Sequence, residues 1–256
     1  MSPKLENIVS EGKKIIYTGP MCASKSLQLV HHYKQLQALS QTIYAFVHAK
    51  NDSDTPCIVS RLNGETSKVS VPAISVNNSS ELLSKVESEL KRYSGVTSES
   101  HFKMGVRLID SLRHQNKLVE VRGSLRWNPQ FYVIIDELNF FDSGIKKAIE
   151  RMSYWGVNVF AGGLEHDYRK ELFTLEGGVT VSEIAGIADS HRKLTALCQY
   201  EVLPGIYCGE EAEYTMRFRD EAHTEPSHYG DELIIPNKKL YVPVCRMHHV
   251  VPGKFD

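Results

Sequence analysis

A doubly wound parallel α/β sheet is the fold class this sequence predicts, and three observations carry it. Short apolar runs at 14–18, 42–48, 131–135 and 157–161 alternate with segments of helical periodicity. Runs that are apolar without alternation suit strands buried on both faces, and strands separated by helices join one parallel sheet by crossovers. After Thr195 the texture changes to short strand-like pieces broken by Pro, Gly and Asn, with cysteine and histidine among them. That change predicts two units, a domain over 1–194 and a small lobe over 195–256.

The elements follow in order. The first strand, 14–18, runs into Gly19-Pro20, and a helix then places Leu27, Val30, Tyr33 and Leu36 on one face. Thr42–His48 is rich in β-branched and aromatic residues and reads as the next strand. Two helices are expected between Ser79 and Gln115, the first capped by Ser79 or Ser80 and striped by Leu82, Leu83, Val86 and Leu90. A polar break over 94–101 separates them. The strand at 131–135 follows, then a helix over 145–154 and a strand at 157–161.

Composition narrows the function classes. The 256 residues carry 30 basic and 31 acidic side chains, a net charge of −1, so no bulk field recruits nucleic acid or an anionic membrane. No apolar run reaches membrane-spanning length, and residues 1–12 lack an apolar signal core. The odd count of five cysteines, at 22, 57, 198, 208 and 245, argues for a reducing cytoplasmic setting rather than a disulfide framework.

Chemistry concentrates at two strand ends. Gly19, Pro20, Met21, Cys22, Ala23, Ser24, Lys25 and Ser26 match the phosphate-loop pattern G-x-x-x-x-G-K-[ST] except that Ser24 stands in place of glycine. In such a loop, backbone N–H groups wrap phosphates, the lysine reaches the outer ones and the hydroxyl meets Mg²⁺. The bland alternative is a strand–turn–helix with a lysine in its first turn. Asp136-Glu137 closes the apolar run 131–135, where a phosphate-loop protein keeps the acid for Mg²⁺. Neighbouring strand residues point to opposite sides, so Asp136 can serve the metal with Ser26 while Glu137 takes a proton. The alternative there is a solvated strand end.

Together these segments resemble the thymidine kinases of the cytosolic, zinc-bearing type. Gly19 to Ser26 is similar to G-P-M-x-x-G-K-[ST], and Ile135-Asp136-Glu137-Leu138-Asn139-Phe140-Phe141 to I-D-E-x-Q-F-F. Ser60 to Gly64 resembles S-R-x-G, and Gly163-Leu164-Glu165-His166-Asp167-Tyr168-Arg169 resembles G-L-D-x-D-F-R. Ala188-Asp189 with Lys193 to Cys198 resembles A-D-x-x-x-K-L-T-A-x-C; 212–217 and 241–248 complete the series in the family's order.

The resemblance implies an ATP-dependent deoxynucleoside kinase that uses Mg²⁺, takes thymidine to dTMP, is fed back on by dTTP and assembles as a homotetramer. Glu137 would be the catalytic base toward the 5′-hydroxyl. Met21, Phe140, Tyr168, Thr215 and Tyr241 would line the nucleoside pocket, and Glu232, Leu233, Ile234, Ile235 and Pro236 would close over the base. Plain core packing is the other reading for each aromatic. Cys245-x-x-His248 has zinc-ligand spacing, and Cys198 with Cys208 completes a Cys₃His set for a structural Zn²⁺. The family's C-x-x-C is stretched here by Gln199 to Tyr207, and Glu201 is a weaker candidate for the second ligand.

Four departures stand against the pattern. Ser24 replaces the loop glycine, and the D-x-R after the second strand is absent, with Asp52, Asp54, Thr55 and Pro56 in its place. Pro236-Asn237 replaces a glycine pair, and 64–128 is longer than usual. They leave a catalytically silent nucleoside-binding protein as the second expectation. A zinc-ribbon nucleic-acid binder is a third, opposed by the neutral charge.

Overall fold

A computed structural model describes residues 11–50, 55–62, 67–94, 118–121, 124–127, 131–233 and 237–255. The expected second helix before Gln115, Asp52 and Asp54, the closing-loop residues Ile234, Ile235 and Pro236, and 95–117 of the long 64–128 stretch lie outside them.

In chain order the elements are β1 (Lys14–Thr18), α1 (Lys25–Ala38), β2 (Thr42–His48), β3 (Cys57–Leu62), β4 (Ser67–Pro72), β5 (Ile74–Val76) and α2 (Ser79–Ser94). Then come β6 (Leu118–Val121), β7 (Ser124–Trp127), β8 (Phe131–Ile135), a 3₁₀ turn (Leu138–Phe140), α3 (Gly144–Tyr154) and β9 (Asn158–Gly163). The remainder is α4 (Val181–Gly186), β10 (Ser190–Lys193), β11 (Ala196–Leu197), β12 (Glu201–Leu203), β13 (Ile206–Tyr207), β14 (Glu211–Ala212), β15 (Tyr214–Arg217) and β16 (Tyr241–Val244), the last preceded by a 3₁₀ turn, Lys238–Leu240.

The sheet runs β10-β1-β9-β8-β2-β5 with every pairing parallel, the doubly wound arrangement the alternating runs predict. Each strand splits its side chains between two cores, as the period of two demands. Tyr17, Ala45, Val47, Ile134 and Phe160 meet Leu29 and Val30 of α1, with Ile58 and Val71 of the β3–β4 hairpin closing that layer. Ile16, Phe46, Val133, Ile135, Val159 and Ala161 turn to the other face, against Leu82, Val86 and Leu90 of α2 and Ile145, Ile149 and Met152 of α3. Burying each of these aliphatic or aromatic side chains contributes about 1.5–3 kcal/mol. That outweighs the surface pairs Glu81–Lys85 and Glu87–Lys91 of α2, so the stripe fixes how the helix sits.

Two sequence expectations shift by a residue or two. The cap of α2 is Asn78, whose Oδ1 accepts the Glu81 N–H at 2.9 Å, because Ser79 is drawn away to Asp142. The strand expected at 157–161 runs Asn158–Gly163, since its pairing with β1 continues through both glycines.

Past β10 the chain forms three short antiparallel ladders, β11 with β14, β12 with β13 and β15 with β16. Their core is small: Cys198, Ala212, Met216, Phe218, Val242, Val244 and Cys245.

Candidate functional site

The candidate site lies where parallel α/β sheets place ligands, beyond the carboxyl ends of β1, β9 and β8. The loop from Gly19 to Ser24 leaves β1 and delivers Lys25 and Ser26 to the first turn of α1. Gly19 has φ 144°, and a Cβ there would meet the Leu194 carbonyl oxygen at 2.2 Å, so only glycine lets the loop turn beneath that strand. Cys22 and Ser24 both stand in left-handed conformations, φ 61° and 60°. Ser24 is therefore in the backbone state that a glycine would take without strain. Lys25 folds its ammonium onto the carbonyls of Gly19 and Pro20, at 3.0 and 2.5 Å.

Asp136 and Glu137 leave the neighbouring end of β8, with β9 between them and the loop. Gly162 of β9 lies between the two. A Cβ on it would sit 3.5 Å from Asp136 Oδ1, 3.7 Å from Lys25 Cβ and 3.2 Å from Leu29 Cδ1. Asp136 is 4% exposed, and its Oδ1 accepts the Glu137 N–H at 2.9 Å. Burial, reinforced by the Glu137 carboxylate, pushes its carboxyl up to about 6, against a hydrogen bond from Ser26 and the charge of Lys25. Burial likewise brings the Lys25 ammonium down to about 8, with Asp136 opposing it. Burial thus moves both groups toward their neutral forms while their opposite charges resist it.

Glu137 adopts φ 54°, ψ 55°, a left-handed conformation costly for a side-chain-bearing residue. It turns the chain into the 3₁₀ segment 138–140. Its Oε1 pairs with Lys238 Nζ at 3.1 Å, while its Oε2 is buried with no hydrogen-bond partner among the described residues. Asn139 is buried and accepts the Leu164 N–H at 3.3 Å, tying the acidic turn to the segment that leaves β9.

Opposite the loop stand residues from the far end of the chain. Thr215 of β15, 3% exposed, accepts the Met21 N–H at 2.9 Å and so holds the phosphate loop. Tyr168 is 3% exposed and donates its hydroxyl to the His228 and Asp231 carbonyls at 2.9 and 3.0 Å. Asp167 fixes the turn that carries it, accepting the Arg169 N–H at 2.7 Å and its guanidinium at 2.6 and 2.9 Å. Glu232 and Leu233 approach through their carbonyls, and Tyr241 begins β16 beside Thr215's strand. Phe140 is half-buried and instead lines a cleft of about 470 Å³ with His48, Lys50, Asn77, Ser79, Asp142 and Glu176. The structure thus ties Met21 to Thr215, and Tyr168 and the 232–233 carbonyls to Arg217 two residues along the same strand, while Glu137 pairs with Lys238.

A second constellation sits in the C-terminal lobe. The ligand atoms of Cys198, Cys208, Cys245 and His248 all lie within 4.8 Å of one another. His248 Nδ1 is 3.3 Å from Cys245 Sγ and 3.6 Å from Cys198 Sγ. Four such donors about one tetrahedral metal stand roughly 3.4–3.8 Å apart, so this set can hold a metal ion. The His248 ring stacks on Tyr200 at 4.4 Å, which fixes its orientation. Glu201 is elsewhere: it is exposed on β12, with Oε1 accepting the Gly205 N–H at 2.5 Å. The residues 199–207 that lengthen the cysteine spacing are the β12–β13 hairpin, which bulges out and returns Cys208 beside Cys198.

Comparison with known proteins decides the family. The family model described as thymidine kinase matches residues 91–249, more than half of the chain. The chain belongs to the thymidine kinase family. A thymidine kinase of Mycoplasmoides gallisepticum is 36% identical over 121 residues, 47% of this chain and 47% of that protein. A thymidine kinase of Ureaplasma urealyticum is 26% identical over 240 residues, 93% of this chain and 83% of its own length. One from Ureaplasma parvum is 25% identical over the same extent.

Sequence reasoning about this thymidine kinase family member missed three residues. Lys238 escaped because an exposed lysine after an irregular segment carries no motif. Gly162 gave a faint signal, a glycine pair ending an apolar strand. Arg217 closed a recognised motif, yet nothing in the string shows that it is 1% exposed.

Proposed function

We propose that this protein transfers the γ-phosphoryl group of ATP to the 5′-hydroxyl of thymidine, giving dTMP. The observation that carries the proposal is the convergence of Lys25 and the Asp136–Glu137 pair across Gly162, with Met21 of the same loop held by Thr215. Phosphoryl transfer asks for positioning and charge neutralisation more than covalent chemistry. The N–H groups of 19–24 and the start of α1 would cradle the phosphates, and Lys25 would leave the loop carbonyls for the outer phosphate oxygens. Mg²⁺ carried with the nucleotide would supply further neutralising charge, held by Ser26 and Asp136. Glu137 would accept the hydroxyl proton on Oε2, the oxygen without a partner among the described residues.

In this reading Met21, Tyr168, Thr215, Tyr241 and Phe140 serve the nucleoside, and the 232–236 segment closes over the base through backbone groups. The Cys198–Cys208–Cys245–His248 set would hold a structural Zn²⁺, since four protein ligands leave no open position for chemistry. Thymidine and ATP are the partners, dTTP the feedback ligand, and the working form a cytoplasmic homotetramer. No described helix is long and apolar enough to cross a membrane.

The silent-binder alternative is disfavoured because Ser24 keeps the backbone a glycine would give. Glu137→Gln tests the proposal directly. Turnover should fall by at least about a hundred-fold while thymidine still raises the melting temperature. Undiminished turnover in that variant would remove Glu137 from the mechanism.

A further inference from the structure

Arg217 ends β15 at 1% exposure, among the largest fully buried side chains described. No carboxylate lies within ion-pair distance of it among the described residues; the Asp231 carboxylate, bound by Arg219, feels its charge from farther off. A buried guanidinium without a direct ion pair is expensive and persists only where its donors do something specific. Its Nε donates to Ser227 Oγ at 2.9 Å, and its Nη1 donates to the Glu232 carbonyl and, at 3.4 Å, to that of Leu233. Its Cζ lies 4.0 Å from the centre of the Tyr168 ring. Tyr168 in turn holds the carbonyls of His228 and Asp231. One guanidinium and one phenol therefore pin four carbonyls of a six-residue stretch, 228–233. Nη2 remains buried with no hydrogen-bond partner among the described residues, a donor in reserve.

Strand geometry adds a second connection. Thr215 and Arg217 are two residues apart on β15, so they share a face. Thr215 holds the phosphate loop through Met21, and Arg217 holds the segment that leads into 234–236. The same strand thus grips both the phosphate loop and the 232–233 carbonyls.

We propose that Arg217 is a positioning residue for the nucleoside, the clamp that sets the 228–233 carbonyls and the Tyr168 ring in register with the phosphate loop. This rests on the kinase reading above and deepens it. Arginine is required because a planar fork can serve a hydroxyl, two carbonyls and an aromatic face together, whereas a lysine ammonium cannot.

Steady-state kinetics, with thymidine and ATP varied in turn, would be compared for wild type, Arg217→Lys, Arg217→Met and Ser227→Ala, with a melting temperature for each. Both Arg217 variants should raise the KM for thymidine about ten-fold or more and leave the KM for ATP within about two-fold. Ser227→Ala removes one acceptor and leaves the charge and fold in place, so it should raise the thymidine KM about three-fold. A merely structural arginine would lower the melting temperature and leave the thymidine KM of the folded protein unmoved, or shift both KM values alike. Either result overturns the clamp. If the Arg217 variants do not fold, the thymidine KM of Ser227→Ala decides alone. A wild type without thymidine-dependent turnover overturns the kinase reading itself, whereas an active wild type with unmoved variants overturns only Arg217's role.

Discussion

At the residue scale the loop position 24 shows most clearly what a sequence conceals. The pattern asks for glycine there because the backbone must turn left-handed, and Ser24 makes that turn at φ 60° regardless. A side-chain-bearing residue in this state costs about 1–2 kcal/mol, and glycine would give back about 0.4–1 kcal/mol through a freer unfolded chain. Ser24→Gly should therefore stabilise the protein by roughly 0.5–1 kcal/mol without lowering turnover, as thermal denaturation and an activity assay would show. Destabilisation would mean that the serine makes a compensating contact. The loop, the acidic pair and the cysteines were legible because each is a short motif with fixed chemistry. Glu137's left-handed backbone and its reach to Lys238 were not, since they depend on a partner 101 residues away.

At the element scale the sheet strands and the helix faces were legible from apolar runs, and their joints were not. Ser79 looked like a helix cap, but Asp142 captures its N–H at 2.8 Å and its hydroxyl at 2.6 Å, and the cap passes to Asn78. Asp142 also accepts the Gly144 N–H at 2.9 Å, so one carboxylate binds the start of α2 to the start of α3. Burial alone would raise its pKa, but the donors from Ser79 and Gly144 outweigh burial and hold it below the ordinary range. The stabilisation is therefore complete above the unfolded carboxylate's pKa and lost as pH falls through the depressed folded value. Asp142→Asn should cost about 1–2 kcal/mol at neutral pH, read as a fall in melting temperature. The gap to wild type should narrow in strong acid, and a gap that widened there would contradict this account.

The C-terminal lobe is an element of a different kind, with only seven residues in its buried cluster. So small a core would lean on a metal held by the Cys198–Cys208–Cys245–His248 set. Elemental analysis should find about one zinc per chain, and Cys245→Ser should lose it together with several degrees of melting temperature. Full thermal stability in a zinc-free Cys245→Ser protein would make the cluster incidental. The donor set was readable from residue types. The β12–β13 hairpin that brings Cys208 back was not, because spacing alone cannot show a loop that returns.

At the scale of the whole molecule the site exists because three distant parts of the chain meet. The phosphate loop lies near the start, the acids near the middle and the pocket wall beyond residue 212, and the parallel sheet brings the first two to one edge. Thr215 with Met21, and Lys238 with Glu137, are the contacts that bring in the third. Alternating strands and helices announced the sheet, while Met21 and Thr215 were visible only through motifs kept in a family's order and Lys238 not at all.

The central claim is that this convergence transfers phosphate to thymidine. Its most direct test is ADP release from ATP and Mg²⁺ with thymidine, deoxyuridine and deoxycytidine offered in turn, for wild type and Lys25→Ala. The account predicts thymidine-dependent release that falls by at least about a hundred-fold in Lys25→Ala. No release from the wild type, with thymidine or dTTP still raising its melting temperature, would contradict it and leave a nucleoside-binding pocket without the chemistry.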